Sequence, residues 1–137
     1  MWIDAHLDSI KKETESTWRF FIKISDKNFS LIAGQFIQVK IDDIVRSYSV
    51  ASLMDNKNVI ELIIVKLDGG KMTNYLFNKI KIGKSFKIKG PLGKFILPEK
   101  IDRDIFFVST GTGIAPFRSM LQHIEKNKIK QIGRAHV

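Results

Sequence analysis

Gln35-Phe36-Ile37-Gln38-Val39-Lys40-Ile41 alternates polar and apolar residues at period two, directly after Gly34. Side chains along a strand point alternately to opposite faces, so this stretch predicts a strand with one buried and one solvated face. The same grammar extends outward to both sides. Strands are expected at residues 4–12 and 17–24, joined by the polar turn Glu13-Thr14-Glu15-Ser16. The second carries Trp18, Phe20, Phe21, Ile22 and Ile24, aromatic and β-branched residues that pack well on a pleated surface. Further strands are expected at 46–51, 59–66, 85–89 and 94–97. Turn signals part them at Asp55-Asn56-Lys57-Asn58, Gly69-Gly70, Gly83 and Gly90-Pro91-Leu92-Gly93. One short helix is expected at 73–80, with Tyr75-Leu76 and Ile80 about a turn apart and Gly83 beyond as a stop. Short strands with regular turns and one small helix predict a mainly β fold, a small antiparallel barrel.

The pattern changes at Ile105-Phe106-Phe107-Val108, a wholly apolar run that predicts a parallel strand buried on both faces. Ser109-Thr110-Gly111-Thr112-Gly113 follows, then residues 114–126 with Ile114, Phe117, Leu121 and Ile124 at helical spacing. Strand, glycine turn and helix open a βαβ unit. The expected division is a barrel over residues 1–99 and the incomplete start of an α/β domain over 100–131. The last six residues, Ile132-Gly133-Arg134-Ala135-His136-Val137, are the translation of ATCGGAAGAGCACACGTC, common sequencing-adapter DNA. They are expected to be read-through, with the natural chain continuing after about Gln131.

Composition bounds the chemistry. The chain holds 137 residues, 44% of them hydrophobic, and no cysteine. Disulfides, thiolate nucleophiles and Cys-held zinc or iron–sulfur clusters are thereby excluded within it. Any redox chemistry must ride on a bound organic cofactor. His6, His123 and His136 are far apart and fit no metal-ligand spacing, so no metal site is expected. No stretch approaches the roughly 20 apolar residues of a membrane helix, and Met1-Trp2-Ile3-Asp4 does not open like a secretory signal. No membrane is expected as a partner, and the expected location is the cytoplasm. The net charge of +9 comes from 18 Lys and 5 Arg. It reads as a solvated Lys-rich surface, or as a basic face for an acidic protein or a phosphorylated cofactor.

Three clusters can carry chemistry. Arg46-Ser47-Tyr48-Ser49 lies on an expected strand, where alternation puts Arg46 and Tyr48 on one face. An Arg forks onto phosphate oxygens and a Tyr offers a stacking ring; an ordinary exposed strand face is the alternative. Gly69-Gly70-Lys71-Met72-Thr73 opens the short helix, whose free amides make an anion site, or whose Thr73 simply caps it. Thr110-Gly111-Thr112-Gly113-Ile114-Ala115-Pro116 follows the apolar run and suits either a dinucleotide phosphate or a tight turn. Pro116 replaces the third glycine of G-x-G-x-x-G, and proline is tolerated in a helix's first turn.

In order, Arg46-Ser47-Tyr48-Ser49, Gly70-Lys71-Met72-Thr73, Gly90-Pro91-Leu92-Gly93 and Gly111-Thr112-Gly113-Ile114-Ala115-Pro116-Phe117-Arg118-Ser119 resemble the ferredoxin–NADP reductase family. The resemblance covers roughly residues 5–130. It implies a six-stranded antiparallel Greek-key barrel holding FAD, followed by a nucleotide-binding α/β domain. It also implies roles for single residues. Arg46 would pair with the FAD pyrophosphate, Tyr48 would lie against the isoalloxazine ring, and Ser49 would bond near its hydride-accepting nitrogen. Ser47 belongs to the same motif. Ile64, Val65 and Lys66 match the strand that touches the flavin and its phosphates. Lys71, Met72 and Thr73 would offer backbone amides and a hydroxyl to the pyrophosphate, and Thr112 would sit where flavin and nicotinamide meet.

The function so implied is an FAD oxidoreductase. It would move a hydride between NAD(P)H and flavin, with NADP or NAD as co-substrate, and electrons to or from a carrier such as ferredoxin or flavodoxin. Catalytic roles fall to Tyr48 and Ser49. The positive charge favours an acidic carrier. The alternative is a basic β-barrel that binds single-stranded nucleic acid on aromatic platforms. Most Phe sit at core-like positions, which argues against it, and no nucleic-acid partner is expected.

Overall fold

A computed structural model of the chain describes residues 1–127. Among them, six strands form one antiparallel sheet: β1 (Ile3–Lys12), β2 (Thr17–Ile24), β3 (Phe36–Ile41), β4 (Ile44–Ser49), β5 (Val59–Val65) and β6 (Ser85–Leu92). Their spatial order is β4-β3-β6-β1-β2-β5, so β6 returns to lie between β3 and β1 in a Greek-key crossover. The edge strands β4 and β5 then approach each other. Val50 bridges Leu62, and the Ala51 amide donates to the Glu61 carbonyl at 2.8 Å, which closes the sheet into a barrel.

The period-two reading of β3 holds: Ile37, Val39 and Ile41 are buried, while Phe36, Gln38 and Lys40 are half-buried. The buried residues pack with Ala5, Leu7, Phe20, Ile22, Ile24, Ile60, Leu62, Ile64 and Ile88 in one continuous core. Each large apolar side chain so buried contributes about 1.5–3 kcal/mol. Helix α1 (Lys71–Asn78) plugs one end with Met72, Leu76 and Phe77. Phe77 meets Trp18 at 4.4 Å and Phe20 at 5.8 Å between ring centroids.

Four expectations need correction. Residues 94–97 are not a strand, because β6 runs on to Leu92 and the ladder with β3 ends there, at Phe36. Residues 105–108 are not a strand either: among the described residues no parallel neighbour exists, and Phe106 and Val108 are 84% and 83% exposed. Thr73 does not cap α1; Gly70 is the N-cap, without a side-chain bond. The expected stripe of the last helix is also not one face. Helix α2 (Ala115–Lys126) follows a 3₁₀ turn at Gly111–Ile114 and buries Ala115, Ser119, Met120 and Ile124. Ile114 and Leu121 stay exposed and Phe117 is half-buried, stacked on Phe107.

The remaining elements start and stop close to expectation, β4 two residues early at both ends. Residues 132–137, with the read-through proposed for them, lie outside the described residues. No helix among the described residues is long and apolar enough to cross a membrane.

Candidate functional site

The three clusters meet where β4 and β5 close the barrel. Arg46, Ser47, Tyr48 and Ser49 run along β4 to the Val50–Leu62 bridge. Ile64 and Val65 end β5, and Lys66, Leu67, Asp68 and Gly69 lead from there to α1, which packs against β4. The 3₁₀ turn holding Thr112 rests on β5. β4 and β5 are the two edges of the sheet order, so backbone between them is left open to a ligand.

Arg46 and Tyr48 share a face, as alternation required, opposite Val39 and Ile37 on β3. Arg46 is exposed; its Nη1 donates to its neighbour's Val45 carbonyl at 2.8 Å, and no carboxylate pairs with it among the described residues. Tyr48 is half-buried against the core beside Leu76 and Ile80 of the α1 region. Burial pushes its phenol up to about 12, and the nearby Arg46 cation works in the opposite direction. Ser47 and Ser49 are exposed on the other face.

The second cluster presents backbone rather than side chains. Gly70 donates to the Leu67 carbonyl at 3.0 Å, and Asn74 is the next helical amide to find a partner, the Gly70 carbonyl at 2.9 Å. The amides of Lys71, Met72 and Thr73 are thus the free ones that every helix start leaves, and no acidic side chain sits in that first turn. Such a start attracts an anion. The Met72 side chain is buried in the core, and Lys71 is exposed. The Thr73 hydroxyl is committed to the loop: it accepts from the Leu67 amide at 3.1 Å and faces the Leu67 carbonyl at 3.2 Å. Ile64 points into the core, and the Lys66 amide is already bonded to the Ser16 carbonyl at 2.7 Å. From these three positions only the Lys66 side chain and the half-buried Val65 remain outward.

Residues 4–96 match the model of the oxidoreductase FAD-binding domain. The chain belongs to that family. It is 36% identical over 123 residues to the toluate 1,2-dioxygenase electron transfer component of Pseudomonas putida, covering 88% of this chain and 36% of that protein. It is 31% identical over 134 residues to an NADH-cytochrome b5 reductase 2 of Candida glabrata, covering 93% of this chain and 45% of that one. Among solved structures, a ferredoxin NADP+ reductase from Neisseria gonorrhoeae with bound FAD and NADP superposes with TM-score 0.76 at 25% identity, over 93% of this chain and 53% of that chain. An Amycolatopsis cytochrome P450 reductase shares the fold, with TM-score 0.84 at 24% identity over 93% of this chain and 40% of that chain. The family-level resemblance read from the motifs is therefore correct. The chain spans less than half the length of the curated relatives described. None of these matches is a nucleic-acid-binding barrel.

Sequence reading missed one residue that organises this region. Glu61 is 3% exposed inside the apolar strand β5 and receives two arginines, Arg19 from β2 and Arg118 from α2. The signal was present as a lone carboxylate within Val59-Ile60-Glu61-Leu62-Ile63-Ile64-Val65. A buried carboxylate needs a cation, and Arg118 and Arg19 are the two that reach it. The phenylalanines were read too generously: only Phe20, Phe29, Phe77 and Phe86 of the ten are buried.

Proposed function

We propose that this chain is the flavin-holding part of an NAD(P)H-dependent FAD oxidoreductase of the ferredoxin–NADP reductase type, exchanging electrons with an acidic protein carrier such as ferredoxin or flavodoxin. In this reading residues 1–99 are the FAD-binding barrel and 100–131 open the NAD(P)-binding domain. The observation that carries it is the convergence of a cation without a carboxylate partner, Arg46, with the three free amides of Lys71, Met72 and Thr73 on one seam. That donor set fits a pyrophosphate, which needs both charge and directed N–H groups. Bound FAD supplies the chemistry the chain lacks, accepting a hydride from NAD(P)H and releasing electrons singly.

The protein's own residues bind and orient. Arg46 and the α1 amides hold the phosphates, and Thr73 contributes its amide only, since its hydroxyl stiffens the loop before the helix. Lys66 and Lys71 add positive charge around them. Tyr48 offers a half-buried aromatic ring beside the phosphate-binding residues. Ser47 and Ser49 line the open side of β4, with the Ser49 hydroxyl as the proton-bearing group beside the flavin ring. Val65 forms the apolar wall, Ile64 backs it from the core, and Thr112 marks the side from which the nicotinamide arrives. The net charge of +9 suits an acidic carrier.

The test is colour and release. Purified protein of this kind is yellow and frees FAD on denaturation, identified by chromatography. A colourless protein that takes up no added FAD, and instead shifts oligonucleotide mobility, would refute the proposal.

A further inference from the structure

Helix α2 is held to the barrel by polar contacts that recur along one stripe. The Arg118 Nη1 donates to a Glu61 carboxylate oxygen and to the Ala51 carbonyl at 3.1 Å. The Ser119 Oγ, fully buried, accepts the Gly34 amide at 3.1 Å, and the Gln122 Oε1 accepts the Leu53 amide at 3.0 Å. These are fixed anchors on three separate loops and strands of the barrel. Glu61 itself is central: its other oxygen takes Arg19 Nε, and Arg19 also pairs with Glu13 at 3.0 Å. Charges therefore alternate along Glu13–Arg19–Glu61–Arg118.

Arg19 is shared between Glu61 and the more exposed Glu13, and Arg118 brings the second cation to the buried carboxylate. Its placement does something else. Ala51 and Glu61 are bonded to each other where the barrel closes, one residue beyond the Val50–Leu62 bridge and two beyond Ser49. Arg118 lies on the first turn of α2, immediately after the turn that carries Thr112. We propose that Glu61 and Arg118 are positioning residues, whose ion pair fixes the glycine turn against the barrel at a set place relative to Tyr48 and Ser49. A buried ion pair is weak evidence for stability, and in this proposal it serves to fix one arrangement among several. In this proposal α2 moves with the barrel, and the boundary near residue 99 is not a hinge. Its functional half rests on the flavin reading given above.

The test compares Arg118→Met, Arg118→Lys and Arg19→Met in the FAD-loaded chain, by amide hydrogen exchange and by visible circular dichroism of the flavin. Arg118→Met is expected to speed exchange at the α2 amides and at Leu53 by about tenfold or more, with β1 and β2 unchanged. It should also alter the flavin dichroism, because the turn beside the ring is released. Arg118→Lys, keeping charge without the fork, restores part of both signals and carries the comparison if Arg118→Met loses the fold. Arg19→Met should leave both near wild type. Unchanged α2 protection in Arg118→Met overturns the latch. Lost protection with unchanged flavin dichroism overturns the positioning role and leaves a structural clamp. If the wild-type chain takes up no FAD, the flavin reading fails and the positioning role with it, while exchange still reports whether the latch exists.

Discussion

The Gly34 amide donates to the Ser119 hydroxyl of α2 at 3.1 Å, at a point where the backbone has φ +101°. A Cβ added there would stand 1.9 Å from the Phe95 carbonyl oxygen and 2.6 Å from the Met120 methyl carbon. Only glycine allows the loop before β3, the segment after β6 and the helix after the glycine turn to meet so closely.

Gly34→Ala is therefore expected to destabilise the chain by about 3 kcal/mol, through backbone strain and overpacking together. Urea unfolding measures it. A midpoint like that of the wild type would mean that the Phe95 segment does not pack this closely on Gly34.

Tyr48 yields a prediction about pH. Its pKa is raised from 10.0 to about 12 by burial, so the native state keeps the proton after the unfolded chain has lost it. The stability tied to this group is present below pH 10 and is lost as pH rises toward 12. Absorbance titration of wild type minus Tyr48→Phe should show one phenolate step near pH 12 in the folded protein. A step near 10 would place the phenol in water.

Phe106, Val108, Ile114 and Leu121 are large apolar side chains left exposed. Exposed apolar surface promotes association. Sedimentation should show self-association of the chain that rises with concentration, and Phe106→Ser with Val108→Ser should reduce it. Equal association of the double variant would move the cause elsewhere.

How much of this was legible in the sequence follows from what each pattern depends on. Residues 17–24 were read as β2 with its final bounds, because aromatic and β-branched residues fit a pleated, half-buried surface and β1 and β5 supply the ladders on both sides. Residues 94–97 and 105–108 carry the same composition, yet a strand needs a partner for its ladder, and among the described residues none is offered there. Phe107 stacks on Phe117 instead, 4.7 Å apart. In the site, Arg46 and Tyr48 were placed on one face by period two alone. The commitment of the Thr73 hydroxyl to Leu67 was not readable, since turn hydrogen bonds depend on the loop's path. Nor was the Glu61–Arg118 pair, whose members lie 57 positions apart.

The FAD-loaded chain offers another check. After Leu92 the described residues contain one helix and a 3₁₀ turn but no strand, so no parallel sheet stands ready for a dinucleotide. Stopped-flow mixing with NADPH or NADH is expected to leave the flavin oxidised on the scale of seconds. Rapid bleaching would show that residues 1–137 suffice for hydride transfer.

The flavin site itself is tested most directly by titrating the chain and Arg46→Ala with FAD and with riboflavin, which has no phosphate, following flavin fluorescence. Wild type should bind FAD saturably at one site. Arg46→Ala should weaken FAD by about tenfold or more, the loss of a charge-assisted contact of roughly 1.5–3 kcal/mol, while riboflavin binding changes by less than about twofold. Equal losses for the two ligands, or no saturable FAD binding by the wild type, would remove the pyrophosphate from Arg46 and the flavin from the β4–β5 seam.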